Sequence, residues 1–94
     1  MSSPAHKRDA IAAQRAQPES TEADVKRAIR TILADKRAWI TSLNYAVDYC
    51  RAALGMKGEE LRVQTLYILN NITHWKAPEG KEVRLILRAY KGGD

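Results

Sequence analysis

The sequence predicts an all-α fold: a compact bundle of four core helices with short connections, preceded by a loosely held N-terminal arm. Apolar residues recur at helical spacing in four separate segments. Only three prolines and five glycines interrupt the 94 residues. Residues 66–69 alone have strand propensity, and no partner strand accompanies them. A chain of this length predicts one helical domain, residues 21–94, after an arm formed by residues 1–20.

The N-terminal arm is poor in large apolar side chains. Between Ala5 and Gln17 its one large apolar residue is Ile11. Such a segment cannot bury enough surface to hold itself against a core, so we expect a helical or disordered arm that is mobile or orders on a partner. Pro18 ends it.

The first core helix is predicted to begin near Thr21. Thr21 and Asp24 have the spacing of a capping box, with aspartate in place of the usual glutamate or glutamine. Lys36 and Arg37 suit the negative C-terminal end of this helix. Its apolar stripe comprises Val25, Ala28, Ile29, Ile32 and Leu33.

The second core helix is predicted to follow a junction at Trp39 and Ile40. Thr41 or Ser42 is the expected N-cap, and Gly55 the expected left-handed C-cap. The apolar stripe between them is the most regular in the chain: Leu43, Ala46, Val47, Cys50, Ala53 and Leu54.

The third and fourth core helices differ in their apolar pattern. The third opens at Glu59 and is apolar nearly all round, which predicts a central helix buried on several sides. The fourth begins with Pro78 in its first turn and runs to about Tyr90. Its core face is a single stripe: Val83, Ile86, Leu87 and Tyr90.

The charge balance favours acidic partners. The formal net charge is +5, from 16 basic and 11 acidic side chains, which suits nucleic acid or an acidic protein surface. One cysteine excludes an intramolecular disulfide and predicts a reducing, cytoplasmic setting. No apolar run approaches the roughly 20 residues of a membrane helix, so no membrane partner is predicted.

The sequence does not predict an enzyme. Cys50 lies within an apolar stripe, and His6 and His74 have no metal-ligand spacing with it or with each other. The sequence shows neither a glycine-rich phosphate loop nor a paired-carboxylate arrangement. No metal site, cofactor or small-molecule substrate is therefore expected.

Basic stripes are the main functional signal. They follow the first and fourth core helices, and cations along one helix face can neutralise phosphates. No helix-turn-helix fits, so little sequence preference is expected. The two stripes make one footprint only if the two helices share a face. The candidate nucleic-acid-binding residues are Lys26, Arg27, Arg30, Arg37, Lys81, Arg84, Arg88 and Lys91.

A protein-interaction module is the alternative. Tyrosine and tryptophan are frequent interface anchors, although they also cover the edges of small cores. Leu85 points away from the apolar stripe of its own helix, so a partner or a second copy of the chain is expected to contact it. The candidate protein-interface residues are Tyr45, Tyr49, Trp75 and Leu85.

Overall fold

The computed structural model describes residues 19–92 and confirms the all-α prediction. Within these residues there is no strand, and one isolated bridge pairs Ser20 with Tyr90. The helices are α1 (Glu22–Ala34), α2 (Ala46–Ala53), α3 (Gly58–Asn70) and α4 (Gly80–Arg88), with a 3-10 turn (Lys36–Ala38) and a π-helical segment (Trp39–Leu43) between α1 and α2.

The four helices pack in a ring. α1 contacts α2 and α4, and α3 contacts the same two neighbours from the other side. The ring encloses one core, so each helix keeps an outer face for solvent. The largest fully buried side chains are Trp75, Ile29, Ile32, Leu43, Leu61, Ile68, Ile72 and Leu87.

The start of α1 is the predicted capping box, whereas its end comes earlier than predicted. Thr21 Oγ1 accepts from the Asp24 amide, and Asp24 Oδ2 accepts from the Thr21 amide, both at 3.0 Å. Trp39 Nε1 donates to the Leu33 carbonyl at 3.1 Å, which occupies an acceptor that a longer helix would use. Because α1 ends at Ala34, Arg37 lies in the 3-10 turn and does not extend the α1 stripe.

The predicted caps of α2 are wrong. The chain first forms the π-helical segment, so Thr41 Oγ1 donates back to the Ala38 carbonyl at 3.4 Å and α2 begins only at Ala46. Among the described glycines, the left-handed conformation occurs at Gly58 and Gly92, not at Gly55. Gly58 and Gly92 lie close together: a Cβ atom placed on Gly92 would be 3.2 Å from the Gly58 carbonyl oxygen. The C-terminal segment therefore packs on the α2–α3 turn.

The prediction that α3 is buried on several sides is also wrong. Leu66 and Tyr67 are 47% and 50% exposed. The ring arrangement covers one side of α3 only, and the buried stripe includes the polar Gln64 and Thr65. Gln64 Nε2 donates to the Tyr49 carbonyl at 3.0 Å, which satisfies the amide inside the bundle.

α4 begins at Gly80, and Pro78 lies in the turn before it. Its core face is as predicted, since Val83, Leu87 and Tyr90 are buried. Its C-terminal end is fastened to the start of the described chain: Ser20 Oγ donates to the Ile86 carbonyl at 2.6 Å.

The predicted arm, residues 1–20, lies outside the described residues apart from positions 19 and 20. Over residues 19–92, no helix has the length and apolar character needed to cross a membrane.

Candidate functional site

The basic side chains at the start of α1 are neutralised within their own helix. Lys26 Nζ lies 2.9 Å from Glu22 Oε2, and Arg27 Nη2 lies 2.7 Å from Asp24 Oδ1. Surface pairs of this kind contribute about 0–1 kcal/mol to stability. They nevertheless lower the positive potential that a phosphate would meet on this part of α1.

Arg84 faces the inside of the α3–α4 loop. Its Nη2 donates to the carbonyls of Ile72 and Trp75 at 2.6 and 2.8 Å, and its guanidinium carbon lies 5.9 Å from the centre of the Trp75 ring. Gly80 makes room for this group, because a Cβ there would lie 2.7 Å from Arg84 Nη1. Arg84 therefore has a structural role whether or not it also meets a ligand.

The two predicted basic stripes belong to helices that pack against each other, but they do not merge. The groove between α1 and α4 is lined by Arg27 and Thr31 on one side and by Glu79 and Glu82 on the other. The two acidic side chains interrupt the positive charge at the place where the stripes meet. The α1 and α4 stripes therefore do not form one continuous phosphate-binding surface.

The outer face of α4 is the clearest positive surface; we define the α4 outer face as Lys81, Leu85 and Arg88 on the helix, together with Lys91 just beyond its end. All four side chains are exposed, and the three cations form no ion pair with any residue from 19 to 92. Leu85 is 43% exposed, as predicted, and borders a shallow surface cavity with Arg88, Ala89 and Lys91. This face combines free positive charge with one apolar contact.

Three exposed tyrosines lie in the α2–α3 half of the ring: Tyr45 just before α2, Tyr49 on α2 and Tyr67 on α3. Tyr45 is 68% exposed, and the rings of Tyr49 and Tyr67 stack with centroids 5.9 Å apart at an angle of 26°. Tyr67 was not predicted as a surface residue, because the apolar pattern of α3 predicted a helix buried on several sides. Trp75 is not a surface residue: it is 2% exposed and donates to Asp35, so its ring belongs to the core and not to an interface.

A second positive surface surrounds Trp39; we define the Trp39 corner as Lys36, Arg37, Trp39, Ile40 and Arg51. Lys36 Nζ and Arg51 Cζ lie 5.8 and 4.8 Å from the centre of the indole ring. Ile40 is 89% exposed beside it. The sequence predicted Arg37 as a site residue but assigned Lys36 to a helix end and Ile40 to a junction. Arg51 could not be predicted, because only the folded chain brings α2 against the segment after α1.

Neither an accessible thiol nor a metal-binding cluster occurs among residues 19–92. Cys50 is fully buried, and burial raises the pKa of its thiol to about 12, which suppresses the nucleophilic thiolate. No group of three or more histidine, cysteine, aspartate or glutamate side chains within residues 19–92 has an arrangement that could hold a metal ion. His74 is exposed, and His6 lies outside the described residues.

Comparison of the chain with known protein families, with curated proteins and with solved structures found no match.

Proposed function

We propose that this is a small non-enzymatic binding protein that associates with nucleic acid through the α4 outer face. The observation that carries the proposal is the contrast between two helices. The cations of the α4 outer face are exposed and unpaired within the described chain, whereas Lys26 and Arg27 on α1 are paired with acids. Free cations on one face are the feature that phosphate neutralisation requires.

The spacing of these cations suits a phosphate backbone. Lys81 and Arg88 are seven residues apart on α4, which is about 10 Å along the axis. That separation allows the two cations to contact different phosphates, each of which releases its own counterions. Binding would be sequence-independent, with dissociation constants of about 10⁻⁴–10⁻⁶ M at physiological salt. Arg30 and Arg37 are both exposed, but the acidic groove separates α1 from α4, so their nucleic-acid contacts stay a prediction outside the proposed α4 surface.

Two double variants with equal net charge test this proposal. Arg88→Gln with Lys91→Gln alters the α4 outer face, and Lys36→Gln with Arg51→Gln alters the Trp39 corner. Anisotropy of a labelled oligonucleotide, single-stranded and duplex, measures the affinity of each variant. We expect the first pair to lower affinity about tenfold or more and the second to lower it less than threefold, since each phosphate contact adds its own counterion release. Equal losses would mean that net charge alone attracts the oligonucleotide, and the proposal would be wrong.

An acidic protein partner, or a second copy of the chain, is the second candidate. Leu85 favours a protein partner. This side chain is 43% exposed between cations; it forms no favourable contact with a phosphate, but it can be buried in a protein interface. Leu85→Gln separates the two candidates: oligonucleotide affinity should stay within twofold of wild type if phosphates alone are bound. A dimer in light scattering that Leu85→Gln abolishes would favour the protein partner.

The cytoplasmic setting expected from the sequence belongs to the same proposal. The single cysteine, Cys50, is free and buried, and unpaired cysteines are usual in proteins of a reducing compartment, where disulfides are rare.

A further inference from the structure

The Trp39 corner includes no residue of the α4 outer face, and it combines charge with an exposed aliphatic side chain. We propose that it is a separate docking site for a protein segment that carries acidic and apolar side chains together. The inference does not depend on nucleic-acid binding by the α4 outer face, because it uses different residues and a different chemistry.

No ion pair holds the three cations of the corner within residues 19–92. Lys36 and Arg51 approach the same indole ring, and Arg37 is exposed beside them. The carboxylate next in sequence, Asp35, accepts a 2.8 Å hydrogen bond from Trp75. Asp48 lies one helical turn before Arg51 but forms no ion pair with it. Like charges held together in this way are complemented by a negative partner.

Ile40 supplies the apolar part of the site on a well-anchored backbone. It is 89% exposed, the most exposed of the large hydrophobic side chains described. Ala38 before it and Leu43 after it are both buried, so the segment is fastened on each side of Ile40. The π-helical turn that projects it is a geometry often found at functional sites. Asn44, which follows, adopts a φ of 43°, a conformation that non-glycine residues rarely hold without a structural or functional reason.

A protein segment fits these features better than a nucleobase or a lipid surface. The ring of Trp39 is half-buried, hydrogen-bonded through Nε1 and approached by two cations, so it has little free face for a base to stack on. One isoleucine buries far fewer methylene groups than a lipid anchor, and even a single myristoyl chain binds membranes only marginally. A pocket on a protein, in contrast, can enclose one aliphatic anchor and surround it with carboxylates.

The test uses a synthetic amphipathic helical peptide whose polar face is all glutamate and whose apolar face is leucine. Tryptophan fluorescence reports binding at Trp39, while the buried Trp75 provides a constant background. We expect saturable binding that weakens as salt rises, and no binding of the matched peptide with lysine in place of glutamate. Ile40→Ser should weaken binding about tenfold, since burial of one isoleucine is worth that much or more. Lys36→Gln with Arg51→Gln should weaken it to a similar degree.

Two variants are matched controls. Leu66→Ser removes another exposed aliphatic side chain, on α3, and Arg88→Gln with Lys91→Gln removes the same charge from α4. Both should bind the peptide as wild type does, and circular dichroism should show that every variant is folded. The proposal is overturned if either control weakens binding as much as Ile40→Ser, or if the glutamate peptide does not bind. It is also overturned if phosphatidylserine vesicles or an oligonucleotide produce the same Ile40-dependent fluorescence change. None of these outcomes depends on whether the α4 outer face binds nucleic acid.

Discussion

Trp75 and Asp35 are joined by a hydrogen bond of 2.8 Å from the indole Nε1 to the carboxylate Oδ2. The two residues are 40 positions apart, and the bond connects the α3–α4 loop to the residue that ends α1. Trp75 is 2% exposed, so water does not compete well for its N–H group. The bond fixes the end of α1, and with it the start of the Trp39 corner.

Replacement of Asp35 tests this bond. Asp35→Ala leaves the buried indole N–H without its acceptor, and we expect the free energy of unfolding to fall by about 1–3 kcal/mol. Asp35→Asn keeps an acceptor oxygen and should cost less than about 1 kcal/mol. Urea denaturation followed by tryptophan fluorescence measures both. If the two variants lose the same stability, the hydrogen bond is not what holds the loop.

Arg84 and Arg88 lie one turn apart on α4 and should behave oppositely. Arg84→Gln removes the donors to the carbonyls of Ile72 and Trp75, so we expect a loss of about 1–3 kcal/mol in unfolding free energy. Arg88→Gln removes an exposed side chain near the helix end and should cost less than about 1 kcal/mol. Urea denaturation of both variants provides the comparison. A larger loss for Arg88→Gln would contradict the structural role of Arg84.

The capping box predicts an acid-sensitive start to α1. The backbone N–H of Thr21, with a smaller contribution from Arg27, holds the pKa of Asp24 below its ordinary value of 3.8. A lowered folded-state pKa contributes stability above the unfolded-state pKa, and that stability is lost as pH falls through the folded-state value. Asp24→Asn should therefore make stability less dependent on pH in this acid range. Thermal unfolding across a pH series measures it; an unchanged acid dependence would count against the assignment.

Cys50 should be unreactive in the folded protein. Burial raises the pKa of its thiol from 9.0 to about 12, so little thiolate exists at mildly alkaline pH and reagents cannot reach it. We expect labelling by an aromatic disulfide reagent to be slow in buffer and to accelerate in parallel with urea-induced unfolding. Fast, stoichiometric labelling of the native protein would show that the thiol is accessible.

The sequence predicted what local periodicity controls. The stripes of α1, α2 and α4 and the capping box of Thr21 all follow from residue spacing. The failures have tertiary causes. α1 ends early because Trp39 binds the Leu33 carbonyl, and α3 is exposed at Leu66 because the ring covers only one of its sides. The spacing of apolar residues within one helix shows neither the Trp39–Leu33 hydrogen bond nor the position of α3 in the ring.

The candidate sites were predictable in part for the same reason. The exposure of Lys81, Leu85 and Arg88 follows from their spacing on α4, whereas Lys91 lies beyond the end of the helix. Spacing alone could not show that Arg84 turns inward to two carbonyls, or that Arg51 reaches Trp39 from another helix. Both depend on how the loops fold over the core.

The dependence of oligonucleotide affinity on salt is the most direct test of nucleic-acid binding by α4. Each phosphate contact contributes about 0.9 to the slope of log affinity against log salt for a duplex, and about 0.7 for a single strand. Replacement of Lys81, Arg88 and Lys91 by glutamine should therefore reduce that slope by about 2 to 3 while the protein stays folded. A slope equal to that of the wild-type protein would contradict phosphate binding by the α4 outer face.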